Sequence, residues 1–537
     1  MWSVSDLTDD HRPTASASSG PAPDSSSAGT STSGSGGSGR SGGAGDSPAA
    51  SDSAPRPEPT DDLVTTRHTV KAGGTTLRYA ATTGRIVLRE EVYEDGVFTG
   101  HTAKAEVSIT AYTIEDRKAP ARGAPNPRPV TFAFNGGPGS SSVWLHLGLL
   151  GPRRVVMGDV GSLAAPPYAL VDNAETLLAT SDLVFLDPVS TGYSRAVAGG
   201  KPGAYHGYQG DLDSMAEVIR LWTTREGRWM SPKFLLGESY GTLRAAALAD
   251  QLQTRYGMYL NGVVLISSVL DLSSVDFENQ RNDRAHAAYL PFYAACAHYH
   301  GLHGGRSLHE VLAEAEEYAA RDYPWALSRG ARLTAAERAE AVATIARLSG
   351  LREDYVDRAE LRIEHWRYFG ELLRDRRLTV GRLDARFTGP AGDPIAESMD
   401  ADPSMDAIVG PYAAAMNHYV RGELGFSSDL HYEQIASRVN PWSFKEFEGR
   451  PIDVSSRLER AMRANPHLHV HVAYGTYDGA TPPSAAEDVF ARMRLTDEQR
   501  TRIEHRHYPA GHMMYVHEPS RIAQSADLAA FVRRTSS

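Results

Sequence analysis

The 537-residue sequence contains a single cysteine, Cys296. No disulfide can form within the chain, so the fold has to stand on its apolar core. Long apolar runs are also missing. Stretches such as Thr131 to Phe134 and Val263 to Ile266 are far shorter than the roughly 20 residues a membrane-spanning helix needs. A surplus of positive charge is absent as well: 55 Lys and Arg stand against 66 Asp and Glu, a net charge of −11. With no Lys/Arg run to track a phosphate backbone, nucleic acid is not an expected partner. The chain opens on the polar stretch containing Asp6, Asp9 and Asp10, without the basic start and apolar segment of an export signal. These features predict a soluble protein and favour the cytoplasm over secretion. They leave the oligomeric state open.

From Pro13 to Pro57 the composition is almost wholly Ala, Gly, Ser, Thr and Pro. Such a stretch cannot bury enough apolar surface to offset the entropy of ordering, so residues 1–62 are expected to form a disordered tail. Beyond Asp62 short β-rich stretches begin at Thr75 to Ala80, Arg85 to Leu88, Glu106 to Thr113 and Pro129 to Phe134. Apolar strands recur at Leu183 to Leu186, Phe234 to Leu236, Val263 to Ile266, His469 to Tyr474 and Ile503 to Tyr508. Longer helical or loop segments separate them, an alternation that predicts an α/β core with a mostly parallel central sheet.

Between Ser274 and Tyr432 the strand signals cease. Two capping boxes, Ser307 with Glu310 and Thr334 with Glu337, open amphipathic runs rich in Ala, Glu and Arg. No fixed period of self-similarity marks a helical repeat array. The expected organisation is therefore a core of residues 63–273 and 433–537 with a helical cap, 274–432, inserted into it.

The segment Phe234-Leu-Leu-Gly-Glu-Ser-Tyr-Gly241 sets Gly-x-Ser-x-Gly after a predicted strand and before the Ala-rich helix Leu243 to Leu252. Small residues there let the chain turn sharply, so that a serine hydroxyl stands exposed at a helix N-terminus; this is the nucleophile elbow of the α/β-hydrolase fold. A serine hydroxyl needs a base to take its proton, and the base needs a carboxylate to fix its tautomer. In the order Ser, Asp, His both partners lie downstream. The predicted strand at His469 runs into a loop with Asp478, and that at Ile503 into Pro509-Ala-Gly-His512. Ser239, Asp478 and His512 are thus the candidate catalytic triad. Oxyanion donors, each worth about 3 to 4 kcal/mol in the transition state, are expected from the backbone amides of Tyr240 and of Gly137 in the glycine-rich loop Asn135 to Ser142.

Three motifs, Asn135-Gly-Gly-Pro-Gly-Ser-Ser-Ser, Gly237-Glu-Ser-Tyr-Gly and Ala510-Gly-His-Met, resemble the signatures of the serine carboxypeptidase family of the carboxypeptidase C and cathepsin A type. Bacterial members without disulfides are the nearest in character. Asp187-Pro-Val-Ser-Thr-Gly-Tyr-Ser194 resembles a further stretch of that family, one residue shorter. The resemblance implies hydrolysis of C-terminal peptide bonds through an acyl-enzyme, with peptide or protein C-termini as substrate. It also implies Asn135, Gly136 and Glu238 as ligands of the substrate's terminal carboxylate. A glutamate can bind a carboxylate only when protonated, because two like charges at that distance repel. The sequence departs from the family pattern at Leu149, where a second glutamate is usual, and at Ala133, where a tryptophan is usual. These departures keep an acyltransferase or esterase on the same scaffold as the alternative. An aminopeptidase of the proline iminopeptidase type shares a Gly-Gly-Pro-Gly loop but fits Asn135 and Glu238 less well. A binding protein without catalysis stands last.

No metal or organic cofactor is implied. Cys296, His300 and His303 would share a helix face but lack a paired ligand motif. His467, His469 and His471 alternate with apolar residues along one strand face. Both groups read as ordinary histidines, and Cys296 lacks the elbow and oxyanion loop that a nucleophile requires.

Overall fold

The computed structural model describes residues 58–115, 124, 126–158, 160, 161, 163–279 and 281–536. The low-complexity stretch Pro13 to Pro57 lies outside the described residues. The main sheet has ten strands. Nine of them, in chain order, are β1 (Asp62–Ala72), β2 (Thr75–Glu94), β3 (Val97–Ile114), β4 (Val130–Phe134), β5 (Asp182–Leu186), β6 (Lys233–Glu238), β7 (Gly262–Ile266), β8 (His469–Gly475) and β9 (Ile503–Tyr508). In space they run β1-β2-β3-β5-β4-β6-β7-β8-β9, and the short strand Arg195–Ala196 pairs with β3. The first three strands and the β3–β5 pair are antiparallel. From β5 across to β9 every pairing is parallel.

The parallel strands β4, β5, β6 and β7 are buried along their whole length, as continuous apolar runs covered on both faces require. Successive side chains point to opposite faces. Leu235, Val263, Leu265, Val470 and Val472 pack with the helices Tyr208–Arg225 and Tyr240–Tyr256. Phe234, Leu236, Val264, Ile266 and Ala473 pack on the other side with the C-terminal helix Glu518–Thr535. This mostly parallel central sheet with helices on both faces is the α/β-hydrolase fold.

One strand expectation changes. The stretches Thr75 to Ala80 and Arg85 to Leu88 belong to one strand, β2. Gly84 carries the chain through between them at φ +138°, where an added Cβ would lie 2.0 Å from the Asp62 carbonyl oxygen. β1 itself carries no apolar signal because most of its residues face outward. Within 274–432 both capping boxes form as expected, on the helices Leu308–Ala320 and Ala335–Ser349. The helix Asp283–Tyr299 leads this block, and Phe292, Tyr293, Ile345, Leu348, Tyr368 and Phe369 give it a core of its own. Its last helix, Pro403–Gly422, instead buries Ile408, Tyr412, Met416 and Tyr419 in the sheet's core. Among the described residues no helix is long and apolar enough to cross a membrane.

Candidate active site

Ser239 sits between β6 and the helix Tyr240–Tyr256 at φ +60° and ψ −131°. A non-glycine residue persists in that region only where its surroundings enforce it. Here the amide of Ser239 donates to the Ile266 carbonyl at 3.0 Å. Its carbonyl accepts from the Thr242 amide at 2.8 Å and the Thr242 hydroxyl at 2.7 Å. The flanking glycines are sterically required: a Cβ on Gly237 would fall 2.0 Å from the Gly241 carbonyl oxygen, and one on Gly241 2.9 Å from that of Phe134.

His512 and Asp478 meet directly. The Nδ1 of His512 lies 2.8 Å from Asp478 Oδ2. The other carboxylate oxygen accepts from the amides of Ala480 and Thr481, each at 2.9 Å, and the Thr481 hydroxyl donates to Oδ2 at 2.9 Å. Burial works to raise the Asp478 carboxyl, but the His512 charge and these donors outweigh it and hold the group below the usual carboxylate range. The next residue along from Ile266 ties this pair to the elbow. Ser267 donates its hydroxyl to the His512 carbonyl at 2.7 Å, and its own carbonyl lies 3.1 Å from the Thr481 hydroxyl, whose one proton it shares with Asp478 Oδ2. The backbone of Ser239 and the loops of Asp478 and His512 are thus all fastened to the end of β7.

The glycine-rich loop lies against the elbow. A Cβ on Gly136 would fall 2.5 Å from the Tyr240 amide nitrogen and 2.8 Å from that of Gly241. Gly137 follows at φ +104°. Two buried anchors hold the loop's ends. Arg244, paired with Asp211 at 2.7 Å, donates to the Asn135 carbonyl at 2.7 Å. Asp187 accepts from the amide and hydroxyl of Ser142 at 2.8 and 2.7 Å.

Asn135 and Glu238 form a buried pair, with the Asn135 amide donating to Glu238 Oε1 at 2.7 Å. The Tyr515 hydroxyl donates to Oε2, also at 2.7 Å. Burial, reinforced by the nearby Asp478 charge, pushes the Glu238 carboxyl up to about 8, although both donors work the other way. A carboxyl that keeps its proton near neutral pH can donate to an anion. Leu149 and Ala133 are buried in the apolar core.

Of the histidines set aside in the sequence, His300 and His471 each have a partner on one ring nitrogen, as does the neighbouring His298, whereas Nε2 of His303 and of His471 is buried without one among the described residues. The Nε2 of His298 faces the Arg306 carbonyl at 2.9 Å and that of His300 the Ala385 carbonyl at 2.8 Å, while His471 pairs with Glu504 at 2.6 Å. Burial drives the Cys296 thiol well above the usual thiol range, which suits a packing residue and not a nucleophile. Sequence reasoning missed Tyr515, Arg244 and Asp384. Asp384, from the helical block, accepts from the Gly511 amide at 3.1 Å and pairs with Arg386 at 2.6 Å. Of the three only Tyr515 carried a signal, its place in the His512 loop.

The profile of the serine carboxypeptidase family matches residues 112–516. No curated protein matches the chain significantly. Among solved structures, a proline iminopeptidase from Mycobacterium smegmatis is similar at 13% identity and a TM-score of 0.35, over 84% of this chain and 98% of that one. An esterase from Thermogutta terrifontis is similar at 12% identity and a TM-score of 0.32, over 84% and 99%. A putative aryl esterase from Burkholderia cenocepacia gives 13% and 0.30, over 88% and 99%. At this distance none of the three bears on the activity. The profile match spans most of the chain and takes in the glycine-rich loop, the elbow and both downstream loops: this protein belongs to the serine carboxypeptidase family.

Proposed function

We propose that the protein is a serine-type carboxypeptidase that removes residues from peptide or protein C-termini through an acyl-enzyme. Ser239 Oγ attacks the carbonyl of the last peptide bond while His512 takes its proton. Asp478 holds the Nδ1 proton of His512, leaving Nε2 to act as the base and stabilising the imidazolium that forms. Charge developing on the carbonyl oxygen is met by the amides of Tyr240 and Gly137, fixed donors that need no reorganisation as the reaction proceeds. The imidazolium then passes its proton to the leaving amine. Water, activated by the same imidazole, attacks the ester and frees Ser239.

The observation that carries the specificity is the Glu238 carboxyl, buried beside the nucleophile, hydrogen-bonded to Asn135 and raised to about 8. In its neutral form it can donate to a terminal carboxylate, together with Asn135 and the Gly136 amide. The apolar Leu149 and Ala133 favour, as a second reading, an esterase or acyltransferase indifferent to a free carboxylate. Comparing a peptide acid with its C-terminal amide separates the two. A carboxypeptidase cleaves the acid at least ten times faster, since the carboxylate contact is a charge-assisted hydrogen bond. Equal rates support the second reading, and failure to cut N-terminally blocked peptides would indicate an aminopeptidase.

A further inference from the structure

Among the described residues, the partners of the Glu238 carboxyl are Asn135 and Tyr515, both uncharged. It is gripped by two neutral donors, one to each oxygen, at the same distance of 2.7 Å. Such a carboxyl cannot swing about its terminal torsion without breaking a bond inside a buried site, where an unmade bond is costly. Tyr515 reaches it from the loop that carries His512 and is 2% exposed. The fit of its ring depends on Gly148: a Cβ there would lie 2.4 Å from Tyr515 Cδ2 and 2.5 Å from the Tyr412 hydroxyl. Burial, with the Glu238 charge adding to it, raises the Tyr515 phenol well above its ordinary range, so this hydroxyl keeps its proton.

We propose that Tyr515 is a positioning residue for recognition of the substrate's terminal carboxylate, aiming Glu238 at it from a notch left by Gly148. The inference rests on the carboxypeptidase reading and deepens it. Tyr515 follows His512 by three residues on a loop whose base is pinned, with the His512 amide on the Leu383 carbonyl at 2.6 Å. One rigid turn therefore carries both the base that serves the scissile bond and the group that orients Glu238. The spacing between the bond cut and the carboxylate held is set by that turn.

The test uses the full chain and matched peptides that differ only in a free or amidated C-terminus. The readout is the ratio of the two kcat/KM values, in which the folded fraction cancels, with kcat and KM resolved for the acid. Wild type prefers the acid, and Tyr515→Phe lowers that preference about tenfold, as expected for losing a hydrogen bond to a carboxyl, chiefly through a raised KM. Gly148→Ala, which forces the ring off Glu238, lowers the ratio in the same direction and decides the matter if Tyr515→Phe fails to accumulate. An unchanged ratio in the Tyr515 variant overturns the inference and leaves the carboxypeptidase reading standing. A wild type that cleaves acid and amide alike overturns that reading, and the inference with it.

Discussion

His512 Nδ1 and Asp478 Oδ2 stand 2.8 Å apart, and the remaining hydrogen-bonding capacity of that carboxylate is taken up by Ala480 and Thr481. With its carboxylate fully engaged, Asp478 has one orientation and His512 one tautomer. Asp478→Asn keeps the shape but offers an N–H or a weaker acceptor to Nδ1. We predict that kcat falls by about 10⁴ while KM changes little, measured by steady-state kinetics on a peptide acid. A loss below tenfold would show that His512 is not acting through this pair.

Glu238 sets a pH dependence whose sign follows from its surroundings. It faces Asn135, Tyr515 and the charge of Asp478, and Tyr412 feels its charge from a neighbouring helix. Burial raises the group from 4.5 to about 8, so the folded protein holds a proton that the unfolded chain has already lost. KM for a peptide acid should rise as pH passes about 8, where Glu238 ionises. In Glu238→Gln, which has no such proton to lose, this rise should vanish. Stability contributed by the neutral carboxyl is fully present below the unfolded value and is lost as pH climbs toward the folded one. Thermal unfolding should accordingly show Glu238→Gln gaining on wild type between about pH 5 and 8. A gain in the opposite direction contradicts the assignment.

The His512 loop depends on a buried ion pair from the helical block. Asp384 accepts from Gly511, and Arg386 donates to both Asp384 and the Pro509 carbonyl, at 2.6 and 2.7 Å. Asp384→Ala leaves Arg386 buried without its charge partner and should cost about 3 to 5 kcal/mol in denaturant unfolding. Replacing both, Asp384→Leu with Arg386→Met, should cost less than the sum of the single changes. Additive losses would mean that the two side chains do not act as a unit.

Much of this site could be read along the chain because the fold puts its chemistry at the ends of strands. Ser239 and Asp478 each follow a largely buried strand, whereas His512 follows β9, whose Ile503-Glu-His-Arg-His-Tyr508 is mostly polar and open to solvent; all three sit in turns of small residues, and β6, β8 and β9 begin and end within a few residues of the expected positions. What could not be read is contact between remote segments. Tyr515 and Glu238 are 277 residues apart, and Gly511 and Asp384 are 127 apart; no periodicity encodes either pairing. Arg244 faced the same obstacle, since a charged residue in an Ala-rich helix reads as surface until its buried partner Asp211 is seen. β1 went unmarked for the opposite reason: an edge strand with most of its residues exposed has no apolar stripe to display.

Whether Ser239 cuts from the carboxyl end is read by digesting an unbiased peptide library with wild type and Ser239→Ala and identifying the products by mass spectrometry. Wild type should yield peptides shortened from the C-terminus, with amidated members spared, and Ser239→Ala should yield no products. Shortening from the N-terminus, internal cuts, or equal products from the alanine variant would contradict this expectation.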